Sequence, residues 1–300
     1  MIHRCQQLVL MLSLLVICHI NAPAQYAVLR EQLQRFTDNG EGDLGVAVLG
    51  LESNDTISVH GERHYPMLSV YKLHLGMAVL RQVDERAHAL QEQIHVTQKE
   101  LLPTYSPLRE EHPTGEFDIT LEGLIHYAVS FSDNNACDIL FRLVGGTKTV
   151  DDYIHRLGVH NVSITATEEE MSQSWNVQFT NWTTPRAAVQ VMQILYQGKA
   201  LSQSSRDLLL KEMIATPIGG NRIKGLLPSG TIVAHKTGTS GTNEQGITAA
   251  TNDIGIITLP TGKHIALAIF LSNSKASDER REKIIAGISK VVWDYFSAIK

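Results

Sequence analysis

The chain has 300 residues, with 31 acidic side chains against 26 lysines and arginines and a formal charge of −5. That length can bury a substantial core, as one large domain or as two interlocked lobes. A mild acidic excess, with no basic run and no basic–aromatic interleaving, argues against nucleic-acid recognition.

The first 24 residues read as an export signal. Arg4 gives a positive start, Leu8 to Cys18 an apolar stretch too short to span a bilayer comfortably, and Ala22-Pro23-Ala24 a small-x-small cleavage site. Cleavage after Ala24 predicts a periplasmic or secreted protein without a membrane span. Lipid attachment at Cys18 is the weaker alternative, because bulky Val16 and Ile17 precede it. Export removes Cys5 and Cys18 and leaves Cys137 alone, so no intramolecular disulfide is expected. Cys137 shares an apolar helical pattern with Leu140, Phe141 and Val144, the setting of a buried inert thiol.

Tyr26 to Phe36 predicts a helix, Gly45 to Leu51 a buried strand and Thr56 to Val59 its hairpin partner. Helices follow over Ser69 to Glu85, Thr120 to Val129 with Thr120 as cap, Asn134 to Val144 stopped by Gly145-Gly146, Thr149 to Leu157, Pro185 to Tyr196 and Ser204 to Met213. Strands return over Thr231 to His235, Ile254 to Leu259 and Ile265 to Leu271, with a turn at Pro260 to Lys263. Ser277 caps a last helix through Ile284, Ile288, Val292 and Phe296. Strands at both ends and helices between them predict an α+β fold: one antiparallel sheet formed by both termini, flanked by helices, with an inserted all-α lobe. The sheet lobe is expected over residues 25–66 and 217–300, the helical lobe over 67–216, and the active site between them.

Three short motifs carry chemistry. Ser69-Val70-Tyr71-Lys72 puts a hydroxyl and an amine three positions apart, on one face of a helix. Ser69 is then a nucleophile whose proton is taken with the help of Lys72, and its own N–H forms half of an oxyanion hole. Ser132-Asp133-Asn134 falls where one helix stops and the next starts. Ser132 would pass a proton to a leaving nitrogen, Asn134 would hold Lys72 and a substrate amide, and Asp133 would order the turn. Lys236-Thr237-Gly238 follows the strand ending at His235. Lys236 supplies charge for a substrate carboxylate, Thr237 and Thr239 add hydroxyls, and Gly238 lets substrate backbone approach closely. The N–H of Thr239 completes the oxyanion hole. Taken singly, the motifs read as well as a helix cap with a solvated lysine, a capping turn and an edge-strand lysine.

The ordered trio is the signature set of class A β-lactamases and penicillin-binding proteins. The chain resembles a class A serine β-lactamase over its whole exported length. The resemblance implies a deacylating glutamate on a loop between the second and third motifs, and Thr167 to Ser172 fits that loop. Glu168 is assigned as the base because Met171 then matches the apolar position three residues on; Glu169 and Glu170 stay open, as does a solvated acidic turn. The family's asparagine four residues past the glutamate is Ser172 here, and its arginine–aspartate clasp is replaced by Ala166 and Asn181. The loop must be held differently, with Asn181-Trp182 packing as one means. These departures resemble the PER- and VEB-like extended-spectrum branch. By resemblance, Tyr105 stands at the pocket mouth, the alternative being an ordinary half-buried tyrosine. The strand Asn252-Asp253-Ile254-Gly255 lacks the arginine many relatives carry, and Arg222 can supply it, with a solvated surface arginine as the alternative.

No cofactor is implied. The 13 histidines are scattered without H-E-x-x-H, and neither Gly145-Gly146 nor Gly219-Gly220 continues into a phosphate-binding loop. The expected function is hydrolysis of penicillins and cephalosporins through an acyl-enzyme on Ser69, by a chain for which nothing demands more than a monomer. A penicillin-binding D,D-peptidase and a β-lactam sensor that stays acylated are the alternatives.

Overall fold

A computed structural model describes residues 22–38 and 41–298. The expected export signal lies, as far as residue 21, outside the described residues.

Chain order begins with α1 (Ala22–Thr37), β1 (Asp43–Gly50), β2 (Thr56–Val59), β3 (Tyr65–Pro66) and α2 (Tyr71–Asp84). Next come β4 (Gln93–Val96), α3 (Pro107–Glu111), β5 (Phe117–Thr120), α4 (Leu121–Val129), α5 (Asn134–Val144) and α6 (Thr147–Arg156). Then follow β6 (Val162–Ser163), α7 (Glu168–Gln173), β7 (Trp182–Thr183), α8 (Pro185–Tyr196) and α9 (Gln203–Ala215). The chain closes with β8 (Val233–Thr239), β9 (Thr248–Thr258), β10 (His264–Ser274) and α10 (Asp278–Ala298).

Both ends of the chain build one five-stranded antiparallel sheet in the order β2-β1-β10-β9-β8. Its central strands β1 and β10 are buried on both faces, so they read as nearly continuous apolar runs. The period of two sorts those runs between two cores. Val46, Val48, Leu267, Ile269 and Leu271 meet Leu29 and Leu33 of α1 and Ile284, Ile288 and Val292 of α10. Ala47, Ala234, Ala266 and Ala268 face the other way, into the core that holds the central helices. Small side chains there let helices approach the sheet closely. Each fully buried Leu or Ile contributes about 1.5–3 kcal/mol to holding these layers together.

Helix α2 is buried at every position from Tyr71 to Leu80, as expected of a helix surrounded by its fold. The helix expected to start at Ser69 begins instead as a short 3-10 turn, Leu68–Val70, before α2. Leu68 has a φ of +47°, in the left-handed region, which keeps the regular helix from extending through it. The strand expected to end at His235 runs on to Thr239, because its ladder with β9 continues to the pair Thr239–Thr251. Lys236, Thr237 and Gly238 therefore lie within β8, an edge strand, and do not follow it.

Candidate active site

The turn that presents Ser69 is pinned from two sides. Met67 N–H donates to Asn181 O at 2.8 Å, and Asn252 Nδ2 donates to Pro66 O at 2.8 Å. Ser69 is the second residue of the 3-10 turn, ahead of the first residue whose N–H is paired, Val70, which donates to Met67 O. Lys72 lies three residues on and is fully buried. Its Nζ donates to Ser132 O at 2.7 Å and to Asn134 Oδ1 at 2.6 Å, and lies 3.0 Å from Glu168 Oε1. Two hydrogen bonds and one ion pair thus surround the Lys72 ammonium. Burial pulls the Lys72 pKa down, but Glu168 together with Cys137 and Asp133 outweighs it, and the group sits above its ordinary value.

Asp133 caps α5 and orders the second motif. Its carboxylate accepts from Ala136 N at 2.8 Å, from Leu108 N at 2.8 Å and from the Ser106 hydroxyl. Ser132, just before it, has a φ of +59°, a left-handed conformation unusual for serine and tolerated where surrounding contacts over-determine it. That conformation sends the Ser132 carbonyl to Lys72 while its hydroxyl accepts from Lys236 Nζ at 2.8 Å. Asn134 uses its amide twice, accepting from Lys72 and donating to Thr104 Oγ1 at 2.8 Å. Tyr105 follows Thr104, is 51% exposed, and accepts from Asn134 N through its carbonyl.

Lys236 is fully buried, and burial together with the Lys72 ammonium lowers its pKa to about 7. Along β8, Ser240 N–H donates to Ala250 O. Alternation along an antiparallel strand then turns the N–H of Thr239 away from β9, off the free edge. The Thr239 hydroxyl accepts from Arg222 Nη2 at 2.8 Å. Arg222 is buried, also holding Gly238 O, Asn252 O and Glu282 Oε1, and so is not a solvated surface arginine. Thr237 is buried with its methyl against Gly219. Gly238 is needed for a contact within the protein: a Cβ there would overlap the Met67 carbonyl oxygen.

Of the three consecutive glutamates, only Glu168 turns inward. Glu170 forms a capping box with Thr167, its carboxylate accepting from Thr167 N at 2.8 Å, and Glu169 is exposed. The acidic stretch is therefore a short helix, α7. Asp138 holds its first turn, accepting from Glu168 N at 2.8 Å and Glu169 N at 2.9 Å. Burial raises the Asp138 pKa to about 6. The loop behind α7 is clasped by Asn181, whose Oδ1 accepts from Thr165 N at 2.8 Å and Ala166 N at 2.9 Å while Nδ2 donates to Ala166 O at 2.7 Å. The clasp is thus hydrogen bonding by one amide, not packing with Trp182. The Trp182 ring stacks on His64, 3.6 Å between centroids. Ser172 is exposed and bonded to Glu169 O, away from Glu168.

The fold thus joins Lys72, Ser132, Asn134, Glu168 and Lys236 by direct contacts, places Ser69 three residues ahead of Lys72, and sets Arg222 behind Thr239. Asp138 and Asn252 were not anticipated from sequence. The available signal for Asp138 was a carboxylate inside an apolar helix stretch, one turn beyond Asn134.

The sequence profile of the beta-lactamase enzyme family matches residues 28–296. The chain is 44% identical to Beta-lactamase VEB-1 of Pseudomonas aeruginosa over 256 residues, covering 84% of this chain and 85% of that protein. It is 40% identical to Extended-spectrum beta-lactamase PER-1 of Pseudomonas aeruginosa over 273 residues, covering 91% of this chain and 88% of the relative. The solved structure of TLA-1 extended-spectrum beta-lactamase superposes with a TM-score of 0.90 at 51% identity, covering 91% of this chain and 99% of that one. These likenesses, together with the α+β fold, make the chain a class A serine β-lactamase. The chain belongs to the beta-lactamase enzyme family, in its VEB- and PER-like group.

Proposed function

We propose that Ser69 is the acylated nucleophile and Glu168 the base of a two-step hydrolysis of β-lactams. One observation carries this reading: Lys72 Nζ touches Ser132 O, Asn134 Oδ1 and Glu168 Oε1 at once. A lysine held in its charged form has no lone pair to take the Ser69 proton. That task falls to Glu168, acting through a water at its second oxygen. Ser69 Oγ attacks the lactam carbonyl, and the N–H groups of Ser69 and Thr239 stabilise the oxyanion. Because Lys236 donates to the Ser132 oxygen, the hydroxyl hydrogen of Ser132 is free to protonate the lactam nitrogen as its bond to carbon breaks. The proton held by Glu168 passes through Lys72 back to Ser132, which restores the carboxylate and the hydroxyl. Glu168 then takes a proton from the second water as that water attacks the ester, and the same proton goes to Ser69 Oγ as it leaves.

Lys236, Arg222 behind Thr239, and the Thr239 edge would hold the substrate carboxylate, with Asn134 and Tyr105 toward its side chain. The site would lie between a sheet lobe (residues 25–66 and 217–300) and a helical lobe (67–216). PER-1 and TLA-1 carry the description extended-spectrum, which supports bulky cephalosporins as substrates. Export through residues 1–24 would place a monomer in the periplasm or outside the cell. Among the described residues no helix is long and apolar enough to cross a membrane. The test is purified protein mixed with a chromogenic cephalosporin. Continuous turnover, abolished in Ser69→Ala, is expected. A single stoichiometric burst would point instead to a D,D-peptidase or a sensor.

A further inference from the structure

Asn252 sits in β9, paired with Gly238 of the neighbouring edge strand, and is fully buried. Its Nδ2 spends one hydrogen on Pro66 O, at 2.8 Å, and the other on Met67 O, at 3.2 Å. Its Oδ1 is buried without a hydrogen-bond partner. Buried polar atoms are nearly always paired, so an unpaired one marks a side chain held for its other end. That other end grips the two carbonyls immediately before Leu68 and Ser69.

The same place is crowded from β8. Gly238 approaches the Met67 carbonyl so closely that no side chain fits between them. Asn252 also offers its own carbonyl to Arg222 Nη1 at 2.9 Å, and Arg222 reaches on to the Thr239 hydroxyl. Ser69 is two residues beyond Met67, and Thr239 one beyond Gly238. Asn252 is therefore the side chain through which the nucleophile turn and the edge strand are held to each other. An oxyanion hole works only if both donors stand about 3 Å from where the oxyanion will be.

We propose that Asn252 is a positioning residue that sets the gap between the N–H groups of Ser69 and Thr239. The proposal rests on the assignment of those two groups as oxyanion donors. It acts on the tetrahedral state and not on the docked substrate, because its side chain bonds neither Lys236 nor Arg222: Arg222 meets only the Asn252 backbone carbonyl, which both variants keep. Asn252→Asp has the same shape but faces two carbonyls with an acceptor. Asn252→Ala removes both donors.

The experiment measures, for wild type and both variants, the acylation rate constant, the substrate dissociation constant and the inhibition constant of a boronic acid that forms a tetrahedral adduct on Ser69. Loss of a whole oxyanion donor slows catalysis about 100- to 1,000-fold, so a misplaced one should slow acylation about tenfold or more. Boronate affinity should fall in parallel, and the substrate dissociation constant should stay within about twofold. A merely structural asparagine would lower the melting temperature and leave acylation and boronate affinity of the folded variant unchanged; that result overturns the proposal. Should neither variant fold, the wild-type boronate adduct decides by crystallography. An adduct oxygen between Ser69 N and Thr239 N, with Asn252 still on both carbonyls, upholds it. An adduct oxygen bound elsewhere, or Asn252 turned away, overturns it. If wild type forms no adduct at all, the donor assignment itself fails; if only the variants behave as wild type, the role of Asn252 alone fails.

Discussion

Lys72 and Lys236 are both fully buried, yet their surroundings push them in opposite directions. Lys72 has a carboxylate at 3.0 Å and is held charged, whereas Lys236 has only hydroxyl and carbonyl partners and is lowered to about 7 by burial and by Lys72. Lys236 is therefore charged below about 7 and loses its proton as pH rises through that value. An anionic substrate meets a cation on the acid side and a neutral amine on the alkaline side. With a cephalosporin carrying its carboxylate, kcat/KM should bend downward above pH 7, since that ratio reports ionisations of the free enzyme. The methyl ester of the same cephalosporin should lack the bend. Profiles that coincide for acid and ester would exclude Lys236 as the carboxylate's partner.

Helix α7 shows how a short element can be held without a core of its own. Two amino acids outside it, Asp138 and Asn181, satisfy four backbone N–H groups and one carbonyl of residues 165–169. Asn181→Ala strips three of those groups of their partners at a buried site, each worth about 1–3 kcal/mol when left unsatisfied. A marked drop in melting temperature and slower deacylation are expected together; normal deacylation would mean that the clasp does not position Glu168. Asp138 has a folded pKa of about 6, raised from 3.8 by burial, so the folded protein binds its proton more tightly than the unfolded chain. Its contribution to stability is then greatest below 3.8 and is lost as pH rises to about 6. The melting-temperature difference between Asp138→Asn and wild type should grow across that window and level off above it. A difference independent of pH would contradict the assigned burial. Elements such as α5 and α8 are legible in sequence to the residue, because a cap and an apolar stripe coincide: Asp133 and Gly145 bound one, Thr184 and Pro185 open the other. The β4–β5 hairpin is not, since its four-residue strands are about 20 residues apart and only half-buried. The capping box of Thr167 and Glu170 was legible too, but three like charges in a row read as a loop.

Across the whole molecule, the sheet from the two chain ends supplies Lys236, Thr239 and Asn252, and the central helices and their loops supply Lys72, Ser132 and Glu168. The motif residues stand out in sequence because the chemistry needs those side chains at short, fixed spacings. Their supports do not. Asn252 meets Pro66 across 186 positions, and Lys236 meets Ser132 across 104, so no local pattern records either contact. In the proposed mechanism one carboxylate, Glu168 beside Lys72, turns an acylated protein into a hydrolase. Its most direct measurement is intact-protein mass spectrometry of Glu168→Gln after mixing with a cephalosporin. The variant should gain the mass of one acyl group on Ser69 more slowly than wild type, having lost the acceptor of the Ser69 proton as well, and then keep it, with turnover at least about 100-fold slower than wild type. A Glu168→Gln protein that returns to its free mass as fast as wild type would place the deacylating base elsewhere.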